Sequence, residues 1–204
     1  MSELAAYLQL GFHHITDLRG ADHILFLLAL AAIYRFRDWR SVLWVVTAFT
    51  AGHSLTLALA VTGLLRMPTP LIEFLIPVTI VLTGVENLVL RERVAAGRGA
   101  RHRPLFAGIF GLVHGAGFAG YLKSLFVARV AVPLFAFNLG IEIGQFVLLT
   151  TAVALFWALD RGIVAVASAT NRRATLDAFQ LRLVAVSALV TIIATGWAWN
   201  RWPA

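Results

Sequence analysis

Residues 41–64 read SVLWVVTAFTAGHSLTLALAVTGL, a stretch that contains no Asp, Glu, Lys or Arg. An α-helix needs about 20 consecutive and mainly apolar residues to cross the hydrocarbon core of a bilayer. This stretch is long enough, and His53 is its one ionisable residue. It therefore predicts a transmembrane helix, and the histidine in its middle requires an explanation.

Five further apolar stretches accompany it, at about residues 21–35, 70–90, 104–126, 131–159 and 181–199. The chain is 60% hydrophobic and 13% charged, whereas a soluble domain has roughly 25% charged residues. Six helices of about 20 residues each leave room only for short loops. The composition predicts an all-α membrane protein: one polytopic domain over residues 1–204, built as a bundle of six transmembrane helices.

The segment before the first of these spans has a different pattern. Its apolar residues Leu4, Tyr7, Leu8 and Phe12 recur at helical spacing, which is typical of an amphipathic helix. Residues 13–20 are polar and end in a glycine, so we expect the chain to break there. We predict a short N-terminal helix that is amphipathic or re-entrant.

The basic residues predict the orientation of the bundle. Twelve of the 17 Lys and Arg residues fall between the first and second, third and fourth, or fifth and sixth spans. Because cytoplasmic loops of membrane proteins are enriched in Lys and Arg, we place these three loops in the cytoplasm and both termini outside. The net charge of +7 then faces the anionic inner leaflet, and we expect a multi-pass protein of the cell (inner) membrane rather than a nucleic-acid partner.

Several ionisable side chains interrupt the predicted spans, and six of them are candidate ligands: Asp22, His23, His53, Glu86, His114 and Glu142. An ionisable group in hydrocarbon costs at least a few kcal/mol, so each one needs a partner or a function. The chain has no Cys and two Met, so it lacks the sulfur ligands that select Cu(I). The set predicts an intramembrane path for a divalent metal ion held by nitrogen and oxygen ligands.

Three of these residues share one depth in the bilayer. With a rise of about 1.5 Å per residue, His53, His114 and Glu142 lie about 18, 15 and 16 Å from the ends at which their spans begin. In a core about 30 Å thick, all three are near the midplane. A single histidine of this kind is more often a hydrogen-bonded core residue, but the matched depth of the three favours a metal site.

The remaining polar residues are predicted to extend this site toward both faces. Asp22 and His23, with His14, would capture the ion near the outer face, and Glu86 would help to release it near the inner face. Three amides are predicted to support the ligands by hydrogen bonds rather than to bind the ion: Asn87, Asn138 and Gln145.

Pairs of glycines predict close contacts between helices. Gly111 and Gly115 lie four residues apart in the fourth span, and Gly140 and Gly144 do so in the fifth. Small residues at this spacing let two helix backbones approach each other closely in a membrane. We expect such an approach to bring His114 toward the ligands of the fifth span.

The motifs around these residues resemble those of a known family. They are GFHHI at 11–15, GADHILFLL at 20–28, FTAGHSLTL at 49–57, VEN at 85–87, GLVHGAGFA at 111–119 and NLGIEIGQ at 138–145. Together they resemble the HupE/UreJ family of hydrogenase and urease accessory membrane proteins. The resemblance implies a nickel or cobalt permease that carries Ni²⁺ or Co²⁺ as its substrate and has metalloenzyme maturation proteins as partners.

The residues alone leave two alternatives open. His53, His114 and Glu142 also suit an intramembrane hydrolase in which Zn²⁺ activates a water molecule. A non-transporting accessory protein that binds a metal and passes it on would need the same ligands. Imidazole and carboxylate groups suit both Ni²⁺ and Co²⁺, so the ligand types do not choose the metal, and the oligomeric state is not determined by the sequence.

Overall fold

The computed structural model describes residues 2–92, 102–125, 131–169 and 177–203. These parts of the chain form seven α-helices and contain no strand, so the all-α prediction is confirmed. The helices are α1 (Glu3–Thr16), α2 (Ala21–Ala31), α3 (Trp39–Val61), α4 (Thr69–Val89), α5 (Arg103–Leu125), α6 (Ala131–Ala169) and α7 (Ala178–Asn200).

Four of these helices, α3, α4, α6 and α7, are long and apolar enough to cross a bilayer. The 23 residues of α3 extend over about 35 Å, more than the thickness of the hydrocarbon core. Their outward faces carry apolar side chains, such as Leu55, Leu82 and Ile192, which are all more than half exposed. Large apolar side chains at these exposed positions match the lipid environment of a membrane protein.

The observed helix in the first predicted span, residues 21–35, is shorter than expected. Helix α2 has 11 residues, or about 16 Å, which is too short to cross a bilayer alone. Helix α1 continues to Thr16, whose hydroxyl donates to the carbonyl of Phe12 at 2.8 Å, so His13 and His14 lie in a helix rather than in the predicted link. The break is confined to residues 17–20, most of which form a single 3₁₀ turn.

Helix α1 packs lengthwise along the first half of α6. A Cβ atom at Gly140 would lie 2.0 Å from the carbonyl oxygen of Leu8, and one at Gly144 would lie 2.3 Å from the side chain of Ile15. Gly11 likewise leaves no space for a side chain against α6. Because the contacts advance in the same direction along both helices, α1 and α6 are parallel, and their glycines let the backbones touch.

Helix α2 runs in the same direction as α1. Asp22, at the start of α2, bonds to Arg201 at the end of α7, and the carbonyl of Ala32, just after α2, accepts from Arg182 near the start of α7. Helices α2 and α7 are therefore antiparallel. Helices α6 and α7 are also antiparallel, since Asp160 late in α6 meets Arg182. It follows that α1 and α2 are two consecutive parallel segments, which form one discontinuous helix.

The close helix contacts predicted from the glycine pairs are present, but α5 packs against α3. A Cβ at Gly111 would lie 2.1 Å from the carbonyl oxygen of Phe49, and one at Gly115 would lie 2.3 Å from that of His53. The glycines of α6 contact α1 instead of α5. The two glycine-lined contacts therefore position His14 and His53 rather than joining the fourth and fifth predicted spans.

Two basic residues that were counted as loop charges are buried. Arg103 donates to the side-chain oxygen of Asn87 at 2.6 Å and pairs with Glu86 at 3.2 Å. Arg182 pairs with Asp160 at 2.9 Å. The guanidinium group of Arg103 links the ends of α4 and α5, and that of Arg182 links α6 and α7. Other basic residues used to predict the orientation lie outside the described residues: Arg93, Arg98, Arg101, Arg129, Arg172 and Arg173.

Candidate metal centre

Four histidine side chains from four helices meet inside the bundle. They are His14 of α1, His23 of α2, His53 of α3 and His114 of α5. The ring centroids of His14 and His23 are 4.6 Å apart, those of His23 and His114 are 5.4 Å apart, and those of His14 and His53 are 6.2 Å apart. The cluster lies where the helix formed by α1 and α2 is interrupted.

Three of these rings are close enough to share one ion. His14, His23 and His53 each offer a ring nitrogen within 4.8 Å of the other two. Two nitrogens that bind one ion at about 2.1 Å each can be at most about 4.2 Å apart. Small rotations of the side chains, which move each ring nitrogen by less than about 1 Å, would bring the three nitrogens within this distance of one another.

One nitrogen of each imidazole in the cluster, Nε2, lacks a hydrogen-bond partner among the described residues. The Nε2 atoms of all four histidines are shielded from solvent and unpaired. A buried polar atom without a partner costs about 1–3 kcal/mol, and such atoms are rare in folded proteins. Four of them at one place indicate that a ligand supplies the missing interaction.

The other nitrogen of two rings is held by an oxygen. His53 Nδ1 lies 3.4 Å from Asn138 Oδ1, and His114 Nδ1 lies 2.9 Å from the carbonyl oxygen of Phe110. The Asn138 amide is itself oriented, because its Nδ2 donates to the carbonyl of Leu134 at 2.8 Å. Neither oxygen can donate, so Nδ1 carries the proton and Nε2 presents a lone pair to the cluster. Metal-binding histidines are oriented in this way.

Phenylalanine rings surround the imidazoles. Phe26 and Phe49 lie 5.4 and 5.2 Å from His114, while Phe118 and Phe137 lie 3.9 and 5.6 Å from His14. Such an apolar shell excludes water and lowers the local dielectric constant. It favours neutral imidazoles, which are the form that binds a metal.

Asp22 lies beside this cluster, at the start of α2, but its carboxylate is already paired. Both of its oxygens lie 3.2 Å from Nη1 of Arg201, which follows the end of α7. The guanidinium compensates the negative charge next to His23. The structure therefore places Asp22 at the edge of the cluster, where it holds α2 against α7.

The side chains of Glu142 and Gln145 contact α3 at positions away from the cluster. Thr47 donates to Glu142 at 2.9 Å, and Thr50 donates to Gln145 at 3.0 Å. Thr47 lies six residues before His53, or about 9 Å along the helix axis. The structure thus does not bring Glu142 together with His53 and His114 as the depth argument predicted, and the hydrogen bond of Gln145 is with Thr50 rather than with an imidazole.

Glu86 and Asn87 lie at the far end of α4, in a second polar group. Glu86 contacts the imidazole of His102 and pairs with Arg103 at 3.2 Å. Asn87 donates to the carbonyl of Ala29 at 2.7 Å and to Ser187 at 3.1 Å. This group ties α2, α4, α5 and α7 together, and Asn87 supports Arg103 rather than a histidine of the cluster.

A cavity of about 680 Å³ adjoins the cluster. Its walls include His13, His14, Thr16, Asp17 and Phe118. His14 belongs to both the cavity and the cluster, so the cavity meets the cluster at this residue. The break between α1 and α2 forms part of its wall.

Sequence reasoning found the four histidines but missed two features of their surroundings. Arg201, the partner of Asp22, is 179 residues away in sequence, and no local pattern connects them. The phenylalanine shell was also missed. One signal could have strengthened the case for His14: it follows Gly11 by three residues, as His114 follows Gly111, and in both cases the glycine marks a packed helix face.

These features define a class: an all-helical membrane protein that encloses a cluster of imidazoles, which are ligands that suit transition metals. The chain belongs to the HupE / UreJ protein family, whose model matches residues 1–201. Comparison with curated proteins and with solved structures gives no match. Family membership agrees with the resemblance seen in the motifs, and it supports a metal-related accessory function in a membrane.

Proposed function

We propose that this protein is a permease for a divalent transition metal ion, Ni²⁺ or Co²⁺, with the histidine cluster as its central binding site. The observation that carries the proposal is the set of four shielded and unpaired Nε2 atoms from His14, His23, His53 and His114. Imidazole nitrogen is a good ligand for both ions. Metalloenzyme maturation proteins are the expected recipients of the ion.

The discontinuous helix supports transport rather than permanent storage. Secondary transporters place their substrate sites near the bilayer midplane, where a broken helix exposes its ends. Here the break at residues 17–20 lies between His14 and His23. A small movement of α1 relative to α2 would change the distance between these two ligands and so weaken the site, as release of the ion requires.

The helix directions support six crossings of the cell (inner) membrane by a single domain. Helices α1 and α2 together form the first crossing, and α3, α4, α5, α6 and α7 form the others. Since α1 begins on the side at which α7 ends, both termini lie on the same side. The excess of basic residues in the other loops places that side outside.

Within this arrangement the ion enters from the cavity beside His14 and binds to the cluster. It then leaves toward the cytoplasmic ends of the helices, where Glu86 is the nearest predicted acidic group. Asp22 steers cations toward the entrance, and the neighbouring Arg201 limits how strongly it does so. Asn138 keeps the Nε2 lone pair of His53 directed at the ion.

The hydrolase alternative has less support. A zinc hydrolase built from His53, His114 and Glu142 needs the carboxylate beside the metal, whereas Glu142 accepts a hydrogen bond from Thr47, about 9 Å along α3 from His53. In the accessory alternative, the same cluster binds the metal and passes it on without moving it across the membrane. This alternative therefore differs from the permease only in the absence of metal transport.

Uptake of radioactive nickel or cobalt into proteoliposomes tests the proposal. We expect time-dependent uptake by the intact protein and a loss of at least about tenfold in His53→Ala and in His114→Ala, because each change removes a ring that lines the site. Trp157→Ala is the control, since it also removes an aromatic ring, but an exposed one that contacts Arg161, and it should retain uptake.

Equilibrium dialysis of the same variants separates the alternatives. Metal bound by the intact protein without uptake would replace transport with the accessory function. Absence of both binding and uptake in correctly folded protein would reject the histidine cluster as a metal site altogether.

A further inference from the structure

A second cavity lies on the surface of the helix bundle, and its walls contain none of the four histidines of the cluster. It is a groove of about 420 Å³ between the start of α3 and the middle of α6. Its walls are mainly apolar: Val42, Leu43, Phe146, Leu149 and Val153. From Phe146 to Val153 the groove is about 10 Å long, which is within the thickness of one leaflet's hydrocarbon, about 15 Å.

One end of this groove is basic and aromatic. Arg35 and Trp39 line that end, and the indole of Trp39 is 57% exposed. The guanidinium of Arg40 lies over the Trp39 ring, 5.4 Å from its centroid. Tryptophan and arginine are typical of the level at which lipid headgroups meet the hydrocarbon.

The guanidinium of Arg35 has no acidic partner among the described residues. It rests on the Phe179 ring, 4.3 Å from the centroid, and no carboxylate of the described residues lies within 4.0 Å of it. The nearby Asp38 accepts from the backbone N–H of Arg35 at 2.8 Å, and its carboxylate pairs with Arg37 at 3.9 Å. Arg35 is therefore available to an external anion.

We propose that the groove between α3 and α6 binds one anionic phospholipid. An acyl chain occupies the apolar part, and the headgroup phosphate pairs with Arg35, for which a guanidinium is well suited. The charge of the arginine end complements a phosphate, and the apolar length complements a hydrocarbon chain. Both observations are independent of the metal site, so this proposal does not rest on transport.

Native mass spectrometry of the full chain in detergent, titrated with phosphatidylglycerol or with phosphatidylcholine of identical acyl chains, tests this assignment. We expect phosphatidylglycerol to bind about fivefold more tightly, the factor that corresponds to about 1 kcal/mol for one basic residue near an anionic headgroup. Arg35→Gln should abolish the preference, and Arg35→Lys should keep most of it. Inorganic phosphate at the same concentration should not displace the lipid.

Two further variants make the test decisive. Leu43→Trp fills the groove from a partly exposed position and should weaken the binding of both lipids, even if Arg35→Gln fails to fold. Arg161→Gln is the matched control, since Arg161 lies over Trp157 and does not line the groove. Equal binding of both lipids by the intact protein, or an equal loss in Arg161→Gln and Arg35→Gln, would overturn the proposal.

Discussion

Replacing Gly115 by Ala should damage the metal site without removing a ligand. The added Cβ would lie 2.3 Å from the carbonyl oxygen of His53 and 3.0 Å from its Cα, where ordinary contacts are 3.4 Å or longer. Both atoms belong to the backbone, so α5 and α3 must separate by about 1 Å. Such overpacking costs about 1–3 kcal/mol, partly offset by the better helix propensity of alanine.

The displacement matters more for binding than for stability. Bonds between a metal and its ligands tolerate deviations of about 0.2 Å, so a shift of about 1 Å in His53 adds to the movement that the rings must make to bind one ion. We expect at least about tenfold weaker binding of nickel, measured by equilibrium dialysis, and a similar loss of uptake.

The controls are Gly162→Ala and Gly196→Ala, which make the same chemical change where a Cβ meets nothing within 4 Å. Both should bind nickel as the unmodified protein does, with an unchanged or slightly raised Tm. Normal nickel binding and a normal Tm in Gly115→Ala would refute the argument that this helix contact positions His53.

Three further predictions follow from the surroundings of the cluster. Asn138→Leu removes the acceptor for His53 Nδ1–H and should weaken metal binding about 10–100-fold at nearly constant Tm; unchanged binding would show that the ring is held by other contacts. Arg201→Gln frees Asp22 from its counter-charge and should raise nickel affinity about fivefold in low-salt dialysis, whereas unchanged or weaker binding would argue against electrostatic control of the entrance. Asn87→Leu deprives a buried guanidinium of its acceptor and should lower the free energy of unfolding by about 3 kcal/mol in a detergent melt, a loss that should be absent if water replaces the amide.

Much of the architecture follows from the sequence. Long uncharged stretches predict helices in lipid because every backbone polar group must be satisfied within the segment there, and α3, α4, α6 and α7 agree with this. The sequence also determined that His53 and His114 lie deep in their helices, because the helical rise converts residue number into depth. The glycine spacings correctly identified the packed faces.

Which helix packs against each of those glycine-containing faces was decided by the tertiary structure. Helical periodicity assigns a residue a depth and a face, but it does not state which other helix meets that face. Gly140 therefore packs on α1 rather than on α5, and Glu142, at a similar calculated depth to His53, contacts Thr47 instead of the cluster.

Charge pairing was equally beyond the sequence. Asp22 meets Arg201 across nearly the whole length of the chain, and Glu86 meets Arg103, which is 17 residues further along the sequence. An acidic residue in a predicted span can be a metal ligand or half of an ion pair, and the sequence alone is compatible with both roles. The fold decides between them, because only the positions of all the helices determine which cation lies nearest to each carboxylate.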